Sequence, residues 1–188
     1  MRNEVSVIYV STSQNSDYKT LEKLYDKFST EAKDMKWEFV LSSPSEDFVN
    51  LSSNINFASN KNNVICVKAK ENSIYSALRA ATHVTNYKVS VLIQNLTEET
   101  VKQLNIDEML KETNTFSDFS MQDNAIGIGM KTFYMRTLVH EIKFSDENMN
   151  NEISYACGRK EPLVRKERKV YKKYFKMGTT LKRLYGVE

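Results

Sequence analysis

The residues of this chain best suited to chemistry gather where strands are expected to stop. The apolar run 89–93 ends abruptly in Gln94-Asn95, two neutral amides that can each donate and accept hydrogen bonds. In open parallel sheets ligands bind at the carboxyl ends of strands, so Gln94 and Asn95 are the first candidates for a binding role. Other reactive types carry weaker signals. His83 falls near the end of an expected helix, where the helix dipole favours a cation, and His140 stands beside Glu141; neither has a partner at metal-ligand spacing, so packing roles are preferred. Cys66 and Cys157 lie far apart, and both read as buried free thiols. Gly127-Ile128-Gly129 lacks the third glycine and the strand-to-helix position of a dinucleotide fingerprint, and there is no Gly-Lys-Ser/Thr loop. Nor does a Gly-x-Ser-x-Gly elbow or a Ser/His/Asp order point to a hydrolase.

The elements that must position these residues follow from periodicity. Residues 63–69 form a short β-branched run suited to a strand buried on both faces. Glu71-Asn72-Ser73 can open a helix whose apolar positions Ile74, Ala77, Leu78, Ala81 and Val84 share one side. With the run at 89–93 this makes a β-α-β unit. Upstream, residues 5–10 and 37–41 are expected strands, separated by a helix carrying Leu21, Leu24, Tyr25, Phe28 and Ala32. A short helix is expected near Phe48 to Leu51, followed by a polar connection over 52–62. Downstream, Thr97-Glu98-Glu99 caps a helix with Val101, Leu104, Met109 and Leu110 on its apolar side. Residues 113–124 read as a long loop or short edge segment, 125–130 as a strand with two glycines allowing close approach, and 132–142 and 148–157 as helical. The alternation of strands and helices predicts an α/β sandwich.

The 188 residues suffice for one domain with an appendage. Residues 1–158 are expected to form the α/β domain and 159–188 a basic amphipathic helical tail. Between Arg159 and Arg183 stand eleven Lys or Arg against two Glu, so a basic tail follows an acidic body with sixteen basic and twenty-two acidic residues. The tail's stripe of Leu163, Val170, Tyr174, Leu181 and Leu184 is expected to pack on the domain or on a second copy; a membrane interface beside anionic lipids is the other reading. Nucleic acid is not expected as a partner, because no binding motif accompanies the basic residues. No apolar run reaches the roughly 18 residues of a membrane-spanning helix, and no secretory leader precedes the first strand, so a cytoplasmic location is expected.

Several strings, in order over about residues 4–157, resemble family 2 glycosyltransferases of the GT-A fold. They are Val7-Ile8-Tyr9-Val10-Ser11 with Thr20-Leu21-Glu22-Lys23-Leu24, then Trp37 to Asp47, then Glu71-Asn72-Ser73-Ile74-Tyr75-Ser76-Ala77-Leu78-Arg79-Ala80. Lys131-Thr132-Phe133-Tyr134-Met135-Arg136-Thr137-Leu138 and Phe144-Ser145-Asp146-Glu147 are similar to that family's acceptor-side strings. The resemblance implies a GT-A-like, Rossmann-like α/β/α sandwich with a mostly parallel sheet and a basic helical C-terminal appendage. It places Ser11, Ser13 and Ser43 on the nucleotide side, Glu71 and Arg79 among the substrate-binding residues, and Gln94 and Asn95 facing the diphosphate.

The chain departs from that pattern at its acidic stations. The metal-holding Asp-x-Asp is replaced by Gln94-Asn95, and the aspartates that grip uracil and ribose fall near Ser43 and Pro44. The general base falls about Asn150, with Glu152 the nearest carboxylate able to substitute. No metal or cofactor is therefore expected, with Mg²⁺ or Mn²⁺ admitted only if a carboxylate from elsewhere reaches the cleft. The expected function is that of a degenerate glycosyltransferase-like protein, inactive or serving a catalytic partner in glycan assembly at the inner face of a membrane. The alternative is an active, metal-independent transferase moving a sugar from a nucleotide-sugar to a glycan.

Overall fold

Alternating residues of the central strand divide the molecule into two cores. The computed structural model describes residues 4–13, 17–55, 57, 61–93, 96–106, 116–121 and 124–141. Strand β1 (Glu4–Val10) sends Val5, Val7 and Tyr9 to one face and Ile8 and Val10 to the other, as the period of two in a strand requires. The first face is covered by helices α1 (Tyr18–Glu31), α2 (Phe48–Asn54) and α4 (Glu98–Gln103), which bring Leu21, Leu24, Phe28, Leu51 and Val101. The second is covered by α3 (Ile74–Val84) and α5 (Thr132–Glu141), which bring Ala77, Leu78, Ala81, Met135 and Val139. The result is the α/β/α sandwich predicted above.

The remaining strands are β2 (Lys36–Ser43), β3 (Val64–Lys68), β4 (Val89–Ile93), β5 (Phe116–Met121) and β6 (Asn124–Lys131). They form one six-stranded sheet in the order β3-β2-β1-β4-β6-β5, with the first four parallel and β6 antiparallel to both neighbours. The segment anticipated as a loop or edge is thus an edge strand, β5. Gly127 explains how the reversed strand fits. A Cβ there would lie 2.7 Å from the Leu92 carbonyl oxygen, so glycine permits the close approach of β6 to β4.

One expectation is corrected. The run at 63–69 was expected to be buried on both faces, yet β3 is the opposite edge of the sheet, and Cys66 and Lys68 are exposed. Its apolar residues are divided between the two cores, Ile65 and Val67 on the α3 side and Val64 on the other, with β2 as its one neighbouring strand. Partial burial still pushes the Cys66 thiol above its ordinary range, so it is a poor nucleophile at neutral pH. Cys157, the expected helices beyond Glu141 and the basic tail lie outside the described residues. Among the described residues no helix is long and apolar enough to cross a membrane.

Candidate functional site

The order β3-β2-β1-β4 sets a topological switch point between β1 and β4, because the chain winds outward from β1 through β2 to β3 and then returns to β4 on the other side. At such a point adjacent loops diverge and leave a crevice at the carboxyl ends of the strands. The β1 wall is built from Ser11, Thr12 and Ser13. Ser11 N–H donates to the Ser42 carbonyl at 2.8 Å, carrying the β1 to β2 ladder one residue beyond the strand. Ser11 and Thr12 are buried and Ser13 is exposed. The Ser11 hydroxyl also lies 3.4 Å from the Tyr18 hydroxyl at the start of α1.

Electrostatics at this wall are set by a phenol and a helix cap. Burial, and then Tyr18 and Asp17 nearby, push the Tyr9 phenol up to about 12, so it stays neutral and can act only as a hydrogen-bonding hydroxyl. Asp17 caps α1, accepting from the Thr20 hydroxyl at 2.6 Å and the Thr20 amide at 3.1 Å. These bonds hold its carboxyl below the usual range, so it is an anion at neutral pH.

The other loops are tied to each other. Ala69 N–H donates to the Ser43 carbonyl at 3.1 Å, Ser45 N–H to the Glu71 carbonyl at 3.3 Å, and Glu46 N–H to Asn72 Oδ1 at 3.4 Å. Ser43 is buried, and its hydroxyl donates to the Pro44 carbonyl at 3.2 Å. Glu71 is exposed, and its amide donates to Ser76 Oγ at 3.3 Å within the turn that opens α3, where Ser73 Oγ accepts from the Ser76 amide. Ser43 is the last residue of β2, and Ser11, Ser13 and Glu71 therefore stand on strand-end loops. Arg79 does not: it is exposed, about 9 Å along α3 from the Ser73 cap at 1.5 Å per residue, and its Nη2 lies 3.4 Å from His140 Nδ1 on α5. Gln94, Asn95 and Glu152 lie outside the described residues.

Among the described residues no three or more His, Cys, Asp or Glu come together in a way that could hold a metal ion. The carboxylates of Asp17 and Glu71 at the described strand ends are not gathered into such a group, and those ends otherwise offer hydroxyls and backbone groups. Such neutral donors suit a sugar or a nucleotide, and they do not by themselves fit the divalent cation that the glycosyltransferase resemblance implies.

Sequence reasoning missed three groupings because each is made by the path of the fold and not by helical or strand spacing. Tyr9, Asp17 and Tyr18 meet beside Ser11. His83 and His140, read separately above, meet edge to face with ring centroids 5.5 Å apart. Burial, then His140, Arg79 and Arg136, push the His83 imidazole below its ordinary value, which corrects the expectation that a helix end makes it a cation. At the amino end of the sheet, Glu38 is only 4% exposed and accepts from Ser6 Oγ at 2.6 Å, Asn86 N–H at 2.6 Å and Asn86 Nδ2 at 2.7 Å. A signal for Glu38 existed in the sequence: it sits in step with Val40, on a face that should be apolar.

No family model and no curated protein sequence matches the chain. Among solved structures, the chain is similar to 4-diphosphocytidyl-2C-methyl-D-erythritol synthase from Anaerococcus prevotii DSM 20548. The TM-score is 0.50 and the identity 11%, over 81% of this chain and 84% of that one. At that identity the likeness is one of fold. It agrees with the sheet described above: this chain has a Rossmann-like α/β fold with a mostly parallel sheet.

Proposed function

We propose that the crevice at the carboxyl ends of β1 and β4 binds a pyrimidine nucleoside diphosphate bearing a sugar or sugar-like group. In this reading the chain is a degenerate glycosyltransferase-like protein, inactive or a partner subunit in glycan assembly. The observation that carries the proposal is the switch point between β1 and β4, walled by Ser11, Thr12 and Ser13. The structural neighbour is named for a diphosphocytidyl product and the sequence strings resemble transferases of nucleotide-sugars, so both supports share a pyrimidine diphosphate. Ser11, Ser13 and Ser43 would take the nucleoside side, with Glu71 at the rim and Gln94 and Asn95 toward the diphosphate.

Transfer requires the charge on the departing diphosphate to be neutralised. Hydroxyls and amides bind such a group without supplying that charge, which favours binding without turnover. The basic tail could recruit a catalytic partner, a second copy or the inner face of a membrane. The excess of cations between Arg159 and Arg183 supports a second reading, an active metal-independent transferase in which tail cations stabilise the diphosphate and Glu152 is the base.

Calorimetric titration with UDP, CDP and UDP-glucose, with and without Mn²⁺, tests both. Binding independent of Mn²⁺, with no release of UDP from UDP-glucose, is expected. Release of UDP that depends on an added glycan would establish the second reading, and failure of every pyrimidine nucleotide to bind would remove both.

A further inference from the structure

Two helices that lie far apart in the sequence bring four basic groups to one seam. Arg79 and His83 are four residues apart on α3, and Arg136 and His140 four apart on α5, so each pair shares one side of its helix. Arg79 Nη2 approaches His140 Nδ1 to 3.4 Å, and the His83 and His140 rings meet at 5.5 Å. Arg136 is turned to the end of α3, donating from Nε to the Thr82 carbonyl at 2.7 Å and from Nη2 to the Thr85 carbonyl at 2.8 Å. Arg79, His83 and His140 are all exposed. The ion pairs among the described residues, Lys23 with Glu98, Lys27 with Glu31 and Lys36 with Glu4, all lie away from this seam.

We propose that the α3/α5 seam is a binding site for a tetrahedral oxyanion of the phosphate or sulfate class, held by Arg79, His83 and His140 with Arg136 adding charge from behind. Two imidazoles can also hold a metal cation, but two guanidinium groups at the same seam oppose one, whereas an anion answers all four groups. The site is separate from the strand-end crevice, because α3 starts beside the carboxyl ends of β2 and β3 and carries Arg79 and His83 away from the strand ends. Burial, and then its basic neighbours, disfavour a proton on His83; a bound anion offsets the charge of those neighbours, so binding takes up a proton and tightens as the pH falls.

Sulfate is the cleaner probe, because it remains a dianion from about pH 6 to 8. Titration of the full chain, followed by the histidine ring proton resonances and by calorimetry, is expected to give binding about tenfold tighter at pH 6 than at pH 8. The exposed variant Arg79→Gln, with its fold checked by circular dichroism, is expected to weaken sulfate binding about tenfold by loss of a charge-assisted bond. The double variant His83→Gln/His140→Gln is expected to abolish the pH dependence. Vesicles of phosphatidylcholine with phosphatidic acid separate the sources: Arg79-dependent flotation identifies a lipid headgroup, and solution binding alone identifies a free phosphate ester. Sulfate affinity equal in the parent and in Arg79→Gln, or histidine resonances that do not move with sulfate, would overturn the proposal.

Discussion

Glu38 ties the fold together from within, because one buried carboxylate joins three segments of the chain. It accepts from Ser6 on β1 and from both the backbone and side chain of Asn86 in the turn between α3 and β4. Glu38→Ala strands the fully buried Ser6 hydroxyl, costing about 1–3 kcal/mol, while the exposed Asn86 can turn to water, so urea unfolding is expected to show a loss of about 2 kcal/mol. Glu38→Gln keeps the shape and one acceptor, and a smaller loss is expected. Ser42 is the opposite case. Its hydroxyl is fully buried and has no hydrogen-bond partner among the described residues. Ser42→Ala removes an unsatisfied polar atom with little change in volume, so stability is expected to hold or to rise by about 1 kcal/mol. A clear loss of stability in the same unfolding assay would mean that this hydroxyl has a partner. Glu38 stood out in the sequence only as a charge on an apolar face, and Ser42 not at all, because the role of each depends on which distant groups face a strand position.

At the scale of the element, the local signals were mostly readable. Asp17, Ser73 and Thr97 each cap the helix they precede, and Thr97 forms a capping box with Thr100. Each pattern needs only three or four consecutive residues, so the chain advertises it. The burial of β3 was not readable for the opposite reason. A β-branched strand of five residues looks the same at an edge as at a centre, and only the sheet order decides which faces are covered. Gly127 lies between these cases: its pattern suggested close approach, and the structure identifies the neighbour as β4. Gly127→Ala drives a methyl against the Leu92 carbonyl oxygen at 2.7 Å, a backbone atom that cannot turn aside. The expected cost is about 1–3 kcal/mol, read as a lowered midpoint in thermal or urea unfolding, with the β4/β6 amides losing hydrogen-exchange protection first.

For the whole molecule, the succession of strands and helices made an α/β layer legible, but not its strand order, which depends on pairings as distant as Val5 with Val89. That order brings Tyr9 into one core and His83 to the outer surface of the other layer, so the two groups bound the pH range of stability from opposite sides. The folded-state value of His83 lies below its ordinary 6.5, so the unfolded chain takes up this proton first as the pH falls. Stability is therefore full above about 6.5 and declines below it, through the folded-state value. Tyr9 acts in the alkaline direction, since its phenol is raised from 10.0 to about 12. Its contribution is full below 10 and is lost between 10 and 12, because the unfolded chain releases the proton first. A shift of that size corresponds to about 2–3 kcal/mol. Urea midpoints measured from pH 5 to 11 should trace a plateau with two shoulders. His83→Gln is expected to flatten the acid shoulder and Tyr9→Phe the alkaline one, each leaving the other in place. The raised Cys66 thiol adds a separate decline that begins near its ordinary 9.0, so the test is the part between pH 10 and 11: a decline there of unchanged size in Tyr9→Phe would be incompatible with the burial of this phenol.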